Sequence, residues 1–503
     1  MPLSRRPGVG LNGEERMPWP SGNTCRSGSV PVPREKPGWA GGSRWRTIER
    51  YAMTKRVYIE TYGCQMNEAD SELIAGILRS RGLARAGGAA EADVILVNTC
   101  AVRESAERRV LGRLAELNKL KLRRPEVLLG VCGCMPKHLG ERITEKAPHV
   151  DLLVGPDSYR RLPELIEAAA GGPAADLRLD RGETYAGLRH LRDGGVSAWV
   201  TAMRGCDKFC AFCVVPYVRG RERSVPAEEI LRQVEELAEE GFKEVTLLGQ
   251  TVNSYRWKDL DFADLLSRVA SVPGILRVRF TAPHPCDFSD KLIDAMASNE
   301  AVCPHVHLPV QSGSDSVLKR MNRGYTSSEY LNLAGKLRAR MPGISITTDI
   351  LIGFPGESTD DFLATCDIMQ KIRFDSAFTF KYSPREPTRA YKKYPDDVSE
   401  EEKGERLREV IRLQESVSYE INKSLIGTEA EVLAEGRSKK GGEQLFGKTD
   451  TFKTAVFPAA GAEVGKIVTV EVGDATSHTL LGKALSARGK PKTTEERLEV
   501  KET

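Results

Sequence analysis

Arg204-Gly-Cys-Asp-Lys-Phe-Cys-Ala-Phe-Cys213 sets three cysteines at CxxxCxxC spacing near the middle of the chain. Loops this short let the thiolates of Cys206, Cys210 and Cys213 converge on one inorganic centre. A structural zinc site closes with four ligands, and no fourth Cys or His follows at ligand spacing. Thiolates also hold iron–sulfur clusters, usually four to a cluster. Three of them leave one iron open to a substrate or cofactor. The competing explanation is three ordinary buried cysteines, common singly in cores but rarely so clustered.

Outward from this stretch, the sequence alternates strand and helix. Trp199–Met203 reads as a strand feeding the cysteine loop. Helices near Ala227–Glu240, Phe262–Val269, Lys291–Ala297, Asp315–Met321, Ser328–Arg340 and Asp360–Lys371 alternate with strands at Glu244–Leu248, Val278–Thr281, His305–Val310, Ile344–Ile352 and Ser376–Lys381. Such repetition predicts a full or partial parallel barrel with its site at the carboxyl ends of the strands. Polar loops fall at that end: Gly249-Gln-Thr-Val-Asn253, Thr281-Ala-Pro-His284, Gln311-Ser-Gly-Ser314 and Gly353-Phe-Pro-Gly-Glu357. The last of these is equally compatible with plain turn chemistry. His307, in an apolar strand, reads as a satisfied core histidine rather than a catalyst. Cys286, Cys303 and Cys366 stand alone and read as packing residues.

Towards the N-terminus, strands at Val57–Glu60, Val94–Asn98, Val127–Val131 and Leu152–Val154 alternate with helices at Glu68–Arg79, Ser105–Leu120, Lys137–Lys146 and Tyr159–Ala169. This is the pattern of an open parallel α/β sheet. Cys64, Cys100 and Cys134 each lie just after a strand, in Tyr62-Gly-Cys-Gln-Met-Asn67, Val97-Asn-Thr-Cys100 and Gly133-Cys-Met135. Ligands of open α/β sheets bind outside the carboxyl ends of the strands. Three such loops would bring three thiolates to one edge, a second three-thiolate site. The cations of Arg103–Arg124 suit either RNA phosphates or a solvated helix face balanced by Glu104, Glu107 and Glu116.

The flanks differ in character. Residues 1–52 are rich in Pro, Gly, Ser and Arg without apolar periodicity, which predicts a disordered extension running to residue 54. No apolar segment suggests a secretory signal, and the Pro/Gly content with four Glu argues against an amphipathic transit helix. Met53-Thr-Lys-Arg is where folding, and translation itself, is expected to begin. Ala175–Gly195 reads as a linker. After a charged helix at Ser399–Asn422, short strands separated by Gly-rich turns from Ser424 to Ser486 predict a small all-β barrel. Arg437-Ser-Lys-Lys440 and Lys448 offer cations there, and Phe446 or Phe452 a stacking surface for a base; a purely structural barrel is the alternative. A polar tail follows over 488–503.

Composition bounds the function. The 503 residues are 40% hydrophobic and 29% charged, as in ordinary soluble domains, and no run approaches the length of a membrane span. Eleven Cys, an odd number, do not form a secreted disulfide framework, so a reducing cytoplasm is expected. The net charge of +4 is uninformative: residues 1–52 carry nine Lys/Arg and four Asp/Glu, which leaves −1 for the remainder.

The stretch around Cys206, Cys210 and Cys213 resembles the signature of radical S-adenosylmethionine (SAM) enzymes, and the segments around Cys64, Cys100 and Cys134 resemble the N-terminal domain of methylthiotransferases. The C-terminal barrel is similar to the TRAM domain, a small RNA-binding barrel. Together the resemblance covers roughly 55–486, in family order. It implies two [4Fe-4S] clusters, one on each set of three cysteines, with SAM bound at the first and sulfur held at the second. Within Gly133-Cys134 it favours Cys134 as ligand and leaves Cys132 as a core residue. It also implies SAM contacts at Gly249, Gln250, Gln311, Asp349 and Gly353. The implied domains are 55–172 with the auxiliary cluster, 190–423 as the radical SAM core and 424–487 as TRAM. Cys213-Val-Val-Pro-Tyr-Val-Arg-Gly, Leu248-Gly-Gln-Thr-Val-Asn-Ser-Tyr and His307-Leu-Pro-Val-Gln-Ser-Gly-Ser look like the branch acting on tRNA. The implied reaction inserts CH3–S at C2 of N6-isopentenyladenosine, at position 37, through a 5′-deoxyadenosyl radical. Implied partners are tRNA and a flavodoxin- or ferredoxin-type electron donor, with a monomeric, cytoplasmic, membrane-free enzyme. Three alternatives remain: a sister enzyme of threonylcarbamoyladenosine in tRNA, one modifying an aspartate of ribosomal protein S12, and a non-catalytic RNA-binding iron–sulfur protein.

Overall fold

Val94–Thr99 is buried at every position, the mark of a strand covered on both faces of a parallel sheet. In the computed structural model, which describes residues 55–101, 104–438 and 443–485, it is the third strand of a six-stranded sheet. The strands are β1 (Arg56–Tyr62), β2 (Ala84–Arg85), β3 (Val94–Thr99), β4 (Leu128–Gly133), β5 (Leu152–Val154) and β6 (Ala174–Asp176), in spatial order β2-β1-β3-β4-β5-β6. All pairings are parallel. Side chains alternate between the faces. Val94 and Leu96 pack with Leu73 and Leu78 of helix Gln65–Ser80, and Ile95 and Val97 pack with Val110 and Leu114 of helix Glu104–Lys121.

The segment expected to be a linker is docked. Ala174–Asp176 adds the edge strand β6. Tyr185 is buried, and its hydroxyl donates to the Pro156 carbonyl at 2.9 Å. Gly76 approaches the Arg189 carbonyl so closely that a Cβ would lie 1.8 Å from it. The charged, Gly-rich sequence conceals these anchors because each is a single contact without periodicity. The expected extension and tail, and Lys439 and Lys440 of the basic patch, lie outside the described residues.

Six further strands build the partial barrel. Ser197–Thr201, Glu244–Leu248 and Arg277–Phe280 form one parallel sheet. His305–His307, Ser345–Ile352 and Ser376–Lys381 form another. A parallel bridge from Val278 to Val302 joins the two. Val200, Val245, Val278, Val306, Ile346 and Ile350 share one core with the surrounding helices. The alternate positions, including Thr246, Arg279, His307, Asp349 and Phe378, therefore face the inside of the open barrel.

Glu429–Arg437, Gln444–Thr449, Thr454–Pro458, Ile467–Ala475 and Thr479–Ala484 close into a five-stranded barrel. It is fastened to the partial barrel by arginines. Arg277 donates to the carbonyls of Lys448 and Glu431 at 2.6 and 2.8 Å, and Arg279 to those of Asp450 and Thr449 at 2.8 and 2.7 Å. Phe452, one of the two rings offered from sequence for base stacking, packs on His305 at 4.7 Å, with the Arg279 guanidinium 5.0 Å from its centroid, and stays 41% exposed. Lys448 is also engaged, 2.7 Å from the Thr454 hydroxyl. Among the described residues no helix is long and apolar enough to cross a membrane.

The first sheet meets the partial barrel through buried ion pairs. Asp70, fully buried, accepts from Arg204 at 2.7 Å and from Arg219 at 2.9 Å. Asp157 is held bidentately by Arg223 at 2.8 and 3.0 Å, and Glu107 pairs with Arg385 and His138. Burial opposes ionisation of Asp70, but the two guanidiniums outweigh it and keep its carboxyl below the usual carboxylate range. Removing one partner of a buried pair costs roughly 3–5 kcal/mol because a charge is stranded, whereas an exposed pair is worth about 0–1 kcal/mol. Asp70→Asn should therefore lower the urea midpoint far more than Arg56→Ala, which breaks only the half-exposed pair with Glu91. Equal midpoints for the two variants would deny Asp70 this role.

Candidate functional site

The carboxyl ends of β1, β3 and β4, neighbours in the sheet, carry Cys64, Cys100 and Cys134. Cys64 caps helix Gln65–Ser80, and Cys134 opens helix Cys134–Leu139. The Cys100 N–H donates to the Tyr62 carbonyl at 2.9 Å, tying the first two loops together. Gly133, at φ +94°, lies where a Cβ would stand 2.5 Å from both Asn98 Oδ1 and the Thr99 carbonyl oxygen, so only glycine turns the chain here. Cys64 is exposed at the sheet edge; a hydrogen bond with the Cys100 thiol outweighs the desolvation around it and, helped by Arg219 nearby, pulls its thiol down to about 6. Cys134 is buried and accepts from Arg219 Nε at 3.1 Å; burial nonetheless raises its thiol. Cys132 lies in the apolar core, fully buried, its thiol pushed up to about 12 by burial alone. It has the setting of an inert packing thiol.

The second set follows strand Ser197–Thr201 and precedes helix Val215–Arg219. Cys206 Sγ lies 2.9 Å from the Thr251 hydroxyl, and burial raises its thiol. Cys210 Sγ accepts from Arg323 Nη1 at 3.3 Å. The Cys213 thiol is raised, first by burial and then by its two neighbouring cysteines. The loop is braced at Gly205, whose N–H donates to the Gln250 side chain and whose φ is +79°.

One short helix links the two sets. Val214 and Val218 pack with Ala101 and Cys134, so the helix that leaves Cys213 rests on the loops that carry Cys100 and Cys134. Arg219 at its end touches Cys134 and Asp70 together. The first sheet also lends Met66 and Ala69, which pack on Leu248 and Trp199 at the barrel mouth.

The expected SAM contacts divide into several kinds. Gln250 positions the cysteine loop. Gly249 is a close-packing glycine, with Met203 Cγ 2.7 Å from where a Cβ would stand. Gln311 is buried at φ +73°, its backbone bridged to Ile350. Asp349 lies on the inner face with Oδ1 3.4 Å from His307 Nε2, while His307 Nδ1 meets the Thr347 hydroxyl at 3.0 Å. Both ring nitrogens of His307 are thus partnered, on the barrel's inside rather than in its core. Gly353 turns at φ +72° beneath Lys403 and donates to Glu357 at 2.9 Å. Of the lone cysteines, Cys303 and Cys366 are buried, but Cys286 is exposed rather than packed. Along the basic helix, Arg113 pairs with Glu60 and Lys121 with Asp151, within the protein.

Among the described residues no three His, Cys, Asp or Glu side chains are arranged for a single metal ion. Thiolates that ligate different irons of one cubane stand farther apart than that. The donor chemistry fits clusters: none of the six cysteines is tied up in a disulfide, both sets carry a cation on one sulfur, and the buried Nη1 of Arg219 has no protein partner. Sequence reasoning missed Asp70, Thr251 and Arg323, and gave no role to Arg204 or Arg219 although both flank the cysteine loop. Two basic residues bracketing three thiols were the available signal. A Cβ at Gly205 would stand 2.0 Å from the Arg221 carbonyl oxygen. Gly205→Ala should therefore lose about half the iron of the reconstituted protein, that of the Cys206 set, and keep the rest; full iron content would show that the loop tolerates the side chain.

Three family models match the chain in order. Residues 56–155 match Uncharacterized protein family UPF0004, residues 200–369 the Radical SAM superfamily, and residues 423–485 the TRAM domain. The tRNA-2-methylthio-N(6)-dimethylallyladenosine synthase of Chlorobium luteolum is 48% identical over 431 residues, 85% of this chain and 97% of that protein. That of Carboxydothermus hydrogenoformans is 46% identical over 436 residues, 85% and 99% of the respective chains. A radical SAM methyltransferase from Kitasatospora setae, solved with cobalamin and a [4Fe-4S] cluster, shares the fold over 67% of this chain and 77% of its own, with a TM-score of 0.52 at 16% identity. The chain belongs to the tRNA-2-methylthio-N(6)-dimethylallyladenosine synthase family.

Proposed function

We propose that the chain methylthiolates C2 of N6-isopentenyladenosine at position 37 of tRNAs. The observation that carries this is the contact of two three-thiol loops through helix Val215–Arg219, with Val214 and Val218 packed against Cys134. A C–H bond on an adenine ring offers neither an acidic proton nor an electrophilic atom, so side-chain acid–base chemistry is insufficient and cofactors carry the difficult step. When bound, the two [4Fe-4S] clusters and SAM supply radical cleavage of that bond and delivery of a methylated sulfur.

The protein's part is to hold and exclude. Cys206, Cys210 and Cys213 would hold the first cluster, stiffened by Gln250 on Gly205 and by Arg323 on Cys210. Cys64, Cys100 and Cys134 would hold the second. Gly249, Gln250, Gln311, Asp349 and Gly353 line or brace the end of the barrel where SAM is expected. In this assignment the auxiliary-cluster domain, expected over 55–172, also takes in edge strand β6, 190–423 form the radical SAM core and 424–487 the RNA-binding TRAM domain. A flavodoxin- or ferredoxin-type donor, a monomeric state and a cytoplasmic setting complete it; six thiols that must stay reduced suit such a compartment.

Two measurements test the assignment. Anaerobically reconstituted protein given hypomodified tRNA should add a thiomethyl group to isopentenyladenosine, read by nucleoside mass analysis, and Cys210→Ala should abolish it. A thiomethyl gain on threonylcarbamoyladenosine alone would move the substrate to the sister branch. For the ligands, Cys134→Ala should lose the auxiliary cluster and Cys132→Ala retain it, read as iron content; the reverse pattern would exchange their roles.

A further inference from the structure

Each set of thiols carries one buried guanidinium on one of its sulfurs, and the two guanidiniums are used differently. Arg323 commits all three nitrogens: Nε to the Tyr325 hydroxyl at 3.0 Å, Nη1 to Cys210 Sγ at 3.3 Å and Nη2 to the Pro309 carbonyl at 2.8 Å. Arg219 commits two, Nε to Cys134 Sγ at 3.1 Å and Nη2 to Asp70 at 2.9 Å. Its Nη1 is buried without a protein partner, in a residue only 3% exposed. Charges around Arg219 come from several elements: Asp70 and Cys64 on or before the first helix, Cys134 after β4, and Tyr159. Asp70 itself is pinned from the other side by Arg204, so the guanidinium of Arg219 cannot swing away without stranding a buried carboxylate.

We propose that Arg219 is the positioning residue of the Cys64/Cys100/Cys134 site: locked by Asp70, it hydrogen-bonds the Cys134 sulfur and keeps one N–H for an anionic sulfur of the group bound there. The inference rests on the assignment of an auxiliary cluster to these three cysteines. An N–H group donated to a cluster's sulfur stabilises the reduced, more negative state and so raises the reduction potential. Because the pair is buried, solvent and salt screen it little. Arg219 is also the last residue of the helix that leaves Cys213, so this donor is fixed by the same element that ends the other cysteine loop.

The test uses the full chain carrying Cys206→Ala, Cys210→Ala and Cys213→Ala, reconstituted with iron and sulfide, so that a single cluster gives the electron paramagnetic resonance signal. In that background Arg219→Met should lower the reduced-to-oxidised ratio at a fixed poise by about tenfold, the weight of one charge-assisted hydrogen bond. Arg219→Lys, which keeps a cation for Asp70 but not the fork, should fall between Met and wild type. Should Arg219→Met fail to hold iron, Arg219→Lys decides alone. In the chain with all six cysteines intact, Arg323→Met should shift the signal of the other cluster and spare this one. A ratio unchanged in Arg219→Lys at full iron content overturns the proposal. Absence of iron from the triple-Ala background itself overturns it together with the cluster assignment beneath it.

Discussion

A single carboxylate holds the two halves of the site in register. Asp70 lies in the first turns of the helix that Cys64 caps, and it binds the two arginines that bracket the CxxxCxxC loop. Three fully or nearly fully buried charges are costly to assemble and worse to disassemble. Such a trio adds little net stability over an apolar core, but it tolerates only one mutual placement of its elements. An apolar patch slides at small cost, while a two-pronged buried carboxylate does not. The pairs Asp157–Arg223 and Glu107–Arg385 repeat the device at either side, and Arg385 also donates to the carbonyl of Ala101, next to Cys100.

That choice explains what the sequence made legible. The parallel sheet, the partial barrel and the five-stranded barrel follow from local periodicity, because β3 is a continuous apolar run and its helices carry apolar stripes. Placement of the cysteines at strand ends was equally legible, since it needs only strand boundaries and the rule for parallel sheets. Contacts between the sheet and the barrel were not. Asp70 is one acidic residue in a helix of mixed polarity, and nothing in its neighbours distinguishes it from Glu68 or Glu72. Its significance exists only when Arg204 and Arg219, well over a hundred residues away, arrive beside it. The docked segment before Ser197 failed for the same reason: Tyr185 gains its meaning from Tyr159 and Pro156, not from its own neighbourhood.

In the C-terminal barrel, residue type alone leaves part of the role of its cations and rings unread. Cations and aromatic rings in a small β-barrel suggest nucleic-acid contact, and Lys448 and Phe452 fit that description. In the fold they serve the joint with the partial barrel, because Arg277 and Arg279 from two inward-facing positions reach the backbone carbonyls around them. Lys448 donates to the Thr454 hydroxyl and lies 4.7 Å from the Phe452 centroid, so its charge is engaged within the barrel. The partial barrel is thus stoppered at the amino ends of its strands and left open towards the carboxyl ends, where the cysteine loop lies. Phe378, exposed on the inner face beside His307, remains accessible in that opening.

Separation between the two thiol sets is set by a helix of five residues, and this length has a physical rationale. Its five residues, Val215–Arg219, make just under one turn and a half, about 7.5 Å along the axis at 1.5 Å per residue. Val214 and Val218, four apart, fall on the same face and meet Cys134, while Arg219 follows one step round and reaches both Cys134 and Asp70. Lengthening the helix by one residue would rotate that last position by 100° and remove the guanidinium from the thiol. Two sets of thiols resting on one short helix stand close, yet thiols brought together without an intervening cation repel on ionising and stay protonated. An apolar stripe for packing and a terminal arginine for charge satisfy both demands within six residues of Cys213.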